Sequence, residues 1–489
     1  MNATCRLDDL MPGATIIGDG ALAITGLSAD SRAVKPGYLF AALSGVQADG
    51  ARYLDDALAH GAVAILAAPG AVAARPGLTI VTDEDPRRCL ALAAARFFPR
   101  QPATVVAVTG TNGKTSVAQF ARQIWEGMGS QAGAIGTLGV TYAGGEMPLG
   151  MTTPDPVALH QVLDDLATRG ISCVAMEASS HGIDQRRLDG VHLAAAALTN
   201  ITRDHLDYHG TVAAYWQAKR RLFAELLPAG ATIVVEALSG RVDELAALAS
   251  ERGLGLVTVG TPEADLALLE QAPNAVGQRL RIGWKGREQT VSLPLAGAFQ
   301  ASNALVALGL VLATGGDPQA AIATLEKLRG VPGRMEHAAL HPCGAPVYVD
   351  YAHTPDALMT ILKALRPHAR GKLVVVFGAG GDRDAGKRAE MGAVAKAFAD
   401  TLIVTDDNPR SEDPATIRRA ILSGAPAAIE IGDRSAAIRT AVSLLETGDI
   451  LVIAGKGHEQ GQTAGGVTRP FDDRDEARAV VAQIRGEQP

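Results

Sequence analysis

The sequence predicts an α/β protein of three domains: a small α/β N-terminal domain, a central phosphate-loop ATPase domain with a mostly parallel sheet, and a C-terminal Rossmann-like domain. Three observations predict it. Apolar, β-branched runs end again and again in glycine-rich or polar loops, first at TVVAVTG, VAMEASSHG and AAAALTNI, then at PVYVDYAH, KLVVVFGAG, TLIVTDDNPR and DILVIAGKGHE. Stretches of helical periodicity separate these runs, the pattern of parallel sheets covered on both faces. The 489-residue length also allows about three cores of ordinary size.

The elements follow in order. From Ile24 to about Phe98, short apolar runs alternate with Gly, Asp and Ser turns, and GYLFAALSG reads as a strand entering a loop. The two prolines of RFFPRQPATVVAVTG then set a boundary, giving a first domain over 1–99. The second, over 100–334, contains strand-like ISCVAMEAS, LAAAALTNI and ATIVVEA and closes at GVPGRME, where Pro332 and Gly333 are expected to break a helix. The third, over 335–489, carries four apolar strands that each run into a polar loop.

Composition narrows the function classes. A formal charge of −7 disfavours a general nucleic-acid or anionic-membrane binder, which needs a basic face. The opening MNATCRLDDLMPG has no basic segment leading into an apolar core, and the longest weakly apolar stretch, 61–74, is broken by Pro69 and Gly70, so no membrane span is expected. Cys5, Cys89, Cys173 and Cys343 stand singly, which suits a reducing compartment and the cytoplasm.

The chemistry begins at Gly110-Thr111-Asn112-Gly113-Lys114-Thr115-Ser116, a glycine-bracketed loop between a strand and a helix. Glycines let successive backbone N–H groups turn toward an anion, Lys114 brings a point charge, and the Thr115 hydroxyl is suited to the Mg²⁺ that accompanies ATP or GTP. The loop is a short variant, because Val108 stands where the commoner spacing has glycine. Glu177 lies just past a strand, where parallel sheets gather ligands and a carboxylate suits Mg²⁺. Asp204, His205, Asp207 and His209 crowd the loop after another strand, and periodicity does not say which histidine binds. In TVAAYWQAKRRLFAELL, Val212, Tyr215, Trp216, Leu222, Phe223 and Leu226 form an apolar stripe, and Lys219 falls inside it. Such a lysine either snorkels or is buried enough for its pKa to fall, leaving a neutral amine able to take up CO₂ as a carbamate.

Taken together in this order, TGTNGKTS, MEASSHG, TNITRDHLDYHG, the Lys219 helix, GRMEH, VDYAHTPDAL, GDRDAGKR, DDNPR and GKGHEQ resemble the Mur ligases over nearly the whole chain. The likeness is greatest to the member that adds meso-2,6-diaminopimelate to UDP-N-acetylmuramoyl-L-alanyl-D-glutamate in peptidoglycan precursor synthesis. It implies that Lys114 and Thr115 hold the ATP phosphates and, with Glu177, one Mg²⁺, while His205 and carbamylated Lys219 hold a second. Asn303, Arg334, Asp350 and His353 match positions on the nucleotide. Thr152, Thr153, Ser179, Gln185 and Arg187 match contacts to the muramoyl-dipeptide, and Ser31 with Val46, Gln47 and Ala48 match the uridine pocket. Met151 and Ala29 depart from the common pattern, as does VVEALSG after the central strand, which leaves adenine contacts near Glu236 unassigned.

The implied reaction activates a carboxylate as an acyl phosphate and then attacks it with an amine. That intermediate has to be kept from water, so closure of the third domain over the second is expected. Arg383, Asp407-Asn408-Pro409-Arg410, Gly455 and Glu459 all follow expected strands and converge on one crevice. Two guanidiniums and one acid suit a diamino acid with a second carboxylate: Arg410 pairs with the distal carboxylate and Glu459 with the distal ammonium, while L-lysine leaves Arg410 unpaired. A monomer acting on small molecules is expected. An L-lysine-adding ligase, a folylpolyglutamate synthase-like ligase and an ATP-gated binding protein stand as alternatives.

Overall fold

The computed structural model describes residues 4–45, 49–202, 204–274 and 277–486, with only the backbone of Asp207. Contacts divide the chain into two compact units, 1–267 with 305–324 and 268–304 with 325–489.

Among the described residues the first unit holds two main sheets besides the short antiparallel pair Cys5–Arg6 with Ala23–Ile24. Residues 15–82 form a five-stranded one in the order Thr15–Ile17, Thr79–Thr82, Ala62–Ala67, Tyr38–Ala41, Gly26–Ser28, parallel apart from its first edge. The larger sheet runs Gly145–Met147, Gly139–Tyr142, Ala132–Gly136, Cys173–Glu177, Thr104–Thr109, Leu193–Leu198, Thr232–Glu236, Gly255–Val259 and the start of Leu266–Asn274. From Ala132–Gly136 onward its pairs are parallel. Val105, Val106, Ala107 and Val108 are fully buried, as a central parallel strand sandwiched by helices requires. Helix starts carry matching signals: Asp85 and Asp155 cap helices Pro86–Phe97 and Pro156–Thr168, each with proline in the first turn.

In the second unit a six-stranded sheet runs Glu336–Leu340, Pro346–Asp350, Ile450–Ala454, Leu373–Phe377, Thr401–Val404, Ile429–Glu430, parallel except at its first edge. Gly277–Trp284 and Arg287–Leu293 form an antiparallel hairpin that no apolar run announces. The expected α/β class and mostly parallel sheets are observed. The turn at Pro332 and Gly333 does not break a helix, because helical structure ends at Lys327 and an isolated bridge joins Val331 to Arg334.

The Lys219 helix differs in one respect from its expected stripe. The α-helix Val212–Arg221 passes into a π turn over Leu222–Leu226, which inserts a residue into the period. Leu227 is therefore the buried residue at 1% exposure while Leu226 is only partly buried, and Val212, at the first turn, is exposed.

His160, on helix Pro156–Thr168, is fully buried, and neither ring nitrogen has a hydrogen-bond partner among the described residues. Gly190 makes room for it, since a Cβ there would lie 2.6 Å from Nε2. Burial, with His192 nearby, pushes its pKa down to about 4 from 6.5. The folded protein therefore refuses a proton that the unfolded chain accepts, so stability is lost as pH falls from about 6.5 toward 4. Between about pH 6.5 and about pH 5 the loss should reach roughly 2 kcal/mol. Urea denaturation at both pH values is expected to show this loss in the wild type and to lack it in His160→Leu.

Candidate active site

Thr104–Thr109 delivers the chain to Gly110 at φ +146°, where a Cβ would collide with Thr199 Oγ1. Gly113, at φ +88°, precedes helix Lys114–Gly127. Val108 is a fully buried strand residue, so the strand continues one residue past the position of the commoner first glycine and the loop is correspondingly shorter. The neighbouring loop pins this one: Thr111 N–H donates to Asn200 O (2.8 Å), Asn112 N–H to Asn200 Oδ1 (3.0 Å), and Thr199 Oγ1 to Asn112 O (2.6 Å). With those two N–H groups engaged, the anion-seeking donors are those of the first helical turn, which have no intrahelical partners. Thr115 and Ser116 lie there, both buried.

Two lysine amines meet on one oxygen. Lys114 Nζ donates to Gly110 O at 2.9 Å and to Thr111 O at 2.9 Å, and Lys219 Nζ donates to the same Gly110 O at 2.9 Å. Lys219 is 1% exposed, its amine lies 4.5 Å from the centre of the Tyr215 ring, and Thr109 Oγ1 is 3.4 Å away. Burial first, and the charge of Lys114 second, hold its pKa well below the lysine value. Of the two outcomes open from sequence, the lysine does not snorkel.

Glu177 ends Cys173–Glu177 beside Val108 in parallel register. Its Oε1 accepts the Thr137 N–H at 2.8 Å and its Oε2 the Thr137 hydroxyl at 3.3 Å, and Gly136 is required because a Cβ there would strike the carboxylate. His205 is exposed and left-handed at φ +50°, its ring 4.9 Å from His181 and 6.2 Å from Tyr215. His205 and Lys219 thus approach the same Tyr215 ring. Among the described residues no group of three or more His, Cys, Asp or Glu side chains is arranged to hold a metal ion. The oxygen donors Thr115 and Glu177 suit a hard cation, and Lys219 would join such a set only as a carbamate.

The remaining expected residues of this unit fall into connected groups. Thr152 Oγ1 lies 3.1 Å from Thr137 Oγ1. Thr153 Oγ1 donates to Glu177 O (2.9 Å) and accepts from Ser179 N–H (3.0 Å), and Ser179 in turn caps the short helix Ser180–Asp184. Arg187 donates to Thr153 O (2.6 Å) and to Gln185 Oε1 (2.7 Å), so these residues form one chain leading to Glu177. Glu236 is separate from that chain, and burial pushes its pKa up to about 7. Ser31 is buried in a turn capped by Asp30, while Val46, Gln47 and Ala48 lie outside the described residues.

In the second unit Asn303 is buried on helix Ala298–Ala313 and donates to Gln300 Oε1 at 3.4 Å, and Gln300 donates to Arg334 O at 3.2 Å. The Arg334 guanidinium stands 4.5 Å over the Tyr351 ring. Asp350 accepts the Met335 N–H (2.6 Å) and the Ala352 N–H (2.8 Å), and burial raises its pKa despite Arg334. His353 Nδ1 lies 2.8 Å from Tyr351 O.

The residues expected after the strands of this sheet lie in the loops that follow Leu373–Phe377, Thr401–Val404 and Ile450–Ala454. Asp407, Asn408 and Pro409 are buried after Thr401–Val404, and Asn408 Nδ2 donates to Glu459 Oε2 at 2.7 Å. Asp407 Oδ2 is buried without a partner among the described residues, and Gly455, at φ +120°, leaves it room that a Cβ would fill. Arg410 adopts φ +55° and donates to Gly381 O at 2.6 Å, whereas Arg383 is exposed. Sequence reasoning missed buried cations here, Arg434 and Lys456 together with Arg388, which pairs with Glu412 at 2.8 Å. Arg434 pairs with Asp473 at 2.7 Å and reaches Ala454 O (3.0 Å) and Asp406 O (3.3 Å). Lys456 sits inside the GKGHEQ segment that sequence analysis had marked, but only its neighbours Gly455 and Glu459 were assigned. Nothing around Arg434 distinguishes it from a surface arginine.

Three family models match successive parts of the chain: "Mur ligase family, catalytic domain" over 23–98, "Mur ligase middle domain" over 108–311, and "Mur ligase, glutamate ligase domain" over 333–457. A Mesorhizobium japonicum protein named UDP-N-acetylmuramoyl-L-alanyl-D-glutamate--2,6-diaminopimelate ligase is 53% identical over 462 residues, covering 94% of this chain and 96% of its own. One of the same name from Caulobacter vibrioides is 54% identical over 456 residues, covering 92% and 94%. A solved structure described by that name superposes with a TM-score of 0.75 at 33% identity, covering 99% of both chains.

The shared carbonyl has a consequence for stability. Lys219→Met removes a buried amine and its repulsion with Lys114, while Gly110 O keeps its bond from Lys114. The variant is expected to lose no more than about 1 kcal/mol of stability at neutral pH, as checked by calorimetry.

Proposed function

Because the chain belongs to the Mur ligase family, we propose that it joins meso-2,6-diaminopimelate to the D-glutamate γ-carboxyl of UDP-N-acetylmuramoyl-L-alanyl-D-glutamate, with cleavage of ATP to ADP and phosphate. The observation that carries this reading is identity above 50% along nearly the full length of proteins bearing that name. It is supported by a glycine-bracketed loop between strand and helix in the first unit and by a hydrogen-bonded cluster of Asn408 and Glu459 beside Arg410 in the second. The working regions are taken as 1–99 for the UDP-substrate, 100–334 for ATP and 335–489 for the amino acid.

The chemistry assigned to the residues is as follows. The substrate's γ-carboxylate attacks the γ-phosphorus of ATP, giving an acyl phosphate and ADP; the amine then attacks the acyl carbon and phosphate leaves. Lys114 and the N–H groups of the first helical turn neutralise charge on the transferring phosphoryl group. Magnesium, when bound, supplies further charge neutralisation, held by Thr115 and Glu177 at one position and by His205 and the Lys219 carbamate at another. The neutral Lys219 amine forms that carbamate by adding to CO₂ and losing one proton. Thr152, Thr153, Ser179, Gln185 and Arg187 orient the dipeptide, Ser31 with Val46, Gln47 and Ala48 takes the uridine, and Asn303, Arg334, Asp350 and His353 take the nucleotide. Arg383, Asp407, Asn408, Pro409, Arg410, Gly455 and Glu459 take the diamino acid. Four free cysteines support a reducing cytoplasmic setting, and no helix among the described residues is long and apolar enough to cross a membrane. The working state is taken as a monomer.

Phosphate release is expected only when ATP, the UDP-muramoyl-dipeptide and diaminopimelate are all present; release without an acceptor marks a binding protein, and release with L-lysine or a folate acceptor marks one of the other ligases. Arg410→Ala should lower the preference for meso-diaminopimelate over L-lysine by about 10²-fold or more while leaving the KM for ATP near its wild-type value. In CO₂-depleted buffer turnover should fall and return with bicarbonate, and ¹³C-bicarbonate should give a carbamate resonance that Lys219→Ala lacks; equal activity with no such resonance would remove the carbamate from the reading.

A further inference from the structure

Lys456 is fully buried after Ile450–Ala454, and its amine is the hub of the loops around it. Nζ donates to Asn408 Oδ1 at 3.1 Å, to Glu459 Oε2 at 3.2 Å and to Gly461 O at 2.6 Å. An ammonium has three N–H donors, so these contacts account for all of them and leave none for a ligand. Asn408 Nδ2 donates to the same Glu459 Oε2 at 2.7 Å, which closes a ring of three side chains. The ring is anchored outward as well: Asn408 Oδ1 accepts the Thr463 N–H at 3.0 Å, and Thr463 O accepts the Arg410 N–H at 3.0 Å. Lys456 therefore ties together the loop that carries Asn408 and Arg410, the loop that carries Glu459, and the hairpin Gly461–Ala464 with Val467–Pro470.

A buried cation is an unfavourable way to fill space unless its partners need it. Here the partners are two of the residues assigned to the diamino acid. Both donors fall on one oxygen of Glu459, Oε2, so the two bonds hold that carboxylate against Asn408 and Lys456. Resting on the ligase reading above, we propose that Lys456 is a positioning residue for specificity: without touching substrate, it sets the geometry of Glu459 and Asn408 by which the distal ammonium of the diamino acid is recognised.

The test compares wild type with Lys456→Met and Lys456→Gln, each checked for folding by circular dichroism. The expected result is a KM for meso-diaminopimelate raised about 10-fold or more, with the KM for ATP and for the UDP-substrate within about twofold and the preference over 2-aminopimelate, which keeps the distal carboxylate but lacks the distal ammonium, reduced by a similar factor. A purely structural lysine would instead lower melting temperature and kcat for every substrate while leaving selectivity intact. Unchanged diaminopimelate KM and selectivity, or failure of both variants to fold, overturns the proposal. A wild type whose phosphate release does not depend on diaminopimelate overturns the ligase reading and this proposal together, so the two failures are told apart by the wild-type control.

Discussion

The carbonyl of Gly110 accepts hydrogen bonds from two lysine side chains, and the first unit's chemistry depends on that sharing. A carbonyl oxygen has two lone pairs, so both bonds are allowed, yet two ammoniums on one oxygen repel. The protein answers this by burying Lys219 to 1% exposure, where desolvation, and after it the charge of Lys114, disfavours the ammonium form of that amine. On the proposed reading Lys114, at the helix start, is the cation for the nucleotide phosphates. Neighbouring elements enforce the arrangement: Gly110 has no Cβ to obstruct Thr199, and Asn200 engages the Thr111 and Asn112 N–H groups. In the proposed carbamate form the side chain turns from a rival of Lys114 into an anion beside it, so one covalent change reverses the local field.

The second unit uses the same device with a different outcome. Lys456 and Arg434 are both buried, but each has a carboxylate partner, Glu459 and Asp473. Pairing allows charge to remain inside, where it organises the loops after the strands. A neutral amine suits chemistry at nitrogen, and a paired cation suits scaffolding. The distinction between Lys219 and Lys456 is thus one of partners, since both are equally sealed from solvent.

Much of the fold was legible because fully buried parallel strands have to be continuous apolar runs, as Thr104–Thr109 and Leu373–Phe377 are. The phosphate loop was legible because glycine is needed at Gly110 and Gly113 for positive φ. Lys219 stood out only because its helix is otherwise apolar on that face. Leu226 was misplaced because a π turn leaves no mark in composition, and the hairpin Gly277–Leu293 was missed because half-exposed antiparallel strands alternate polar residues that imitate loops. Lys456 and Arg434 were not assigned because a cation's burial is decided by partners distant in sequence, at 48 residues for Asn408 and 39 for Asp473.

The division of the chain into 1–267 with 305–324 and 268–304 with 325–489 bears on how the protein is made. A ribosome emits residues in one direction, so the first unit remains incomplete until residue 324 has left the tunnel. By then the segment 268–304 has already emerged and must wait for the C-terminal 165 residues, 325–489, before its own unit can close. Nascent chains halted between these points would carry an orphaned segment, and no single cut in the backbone would release either half whole.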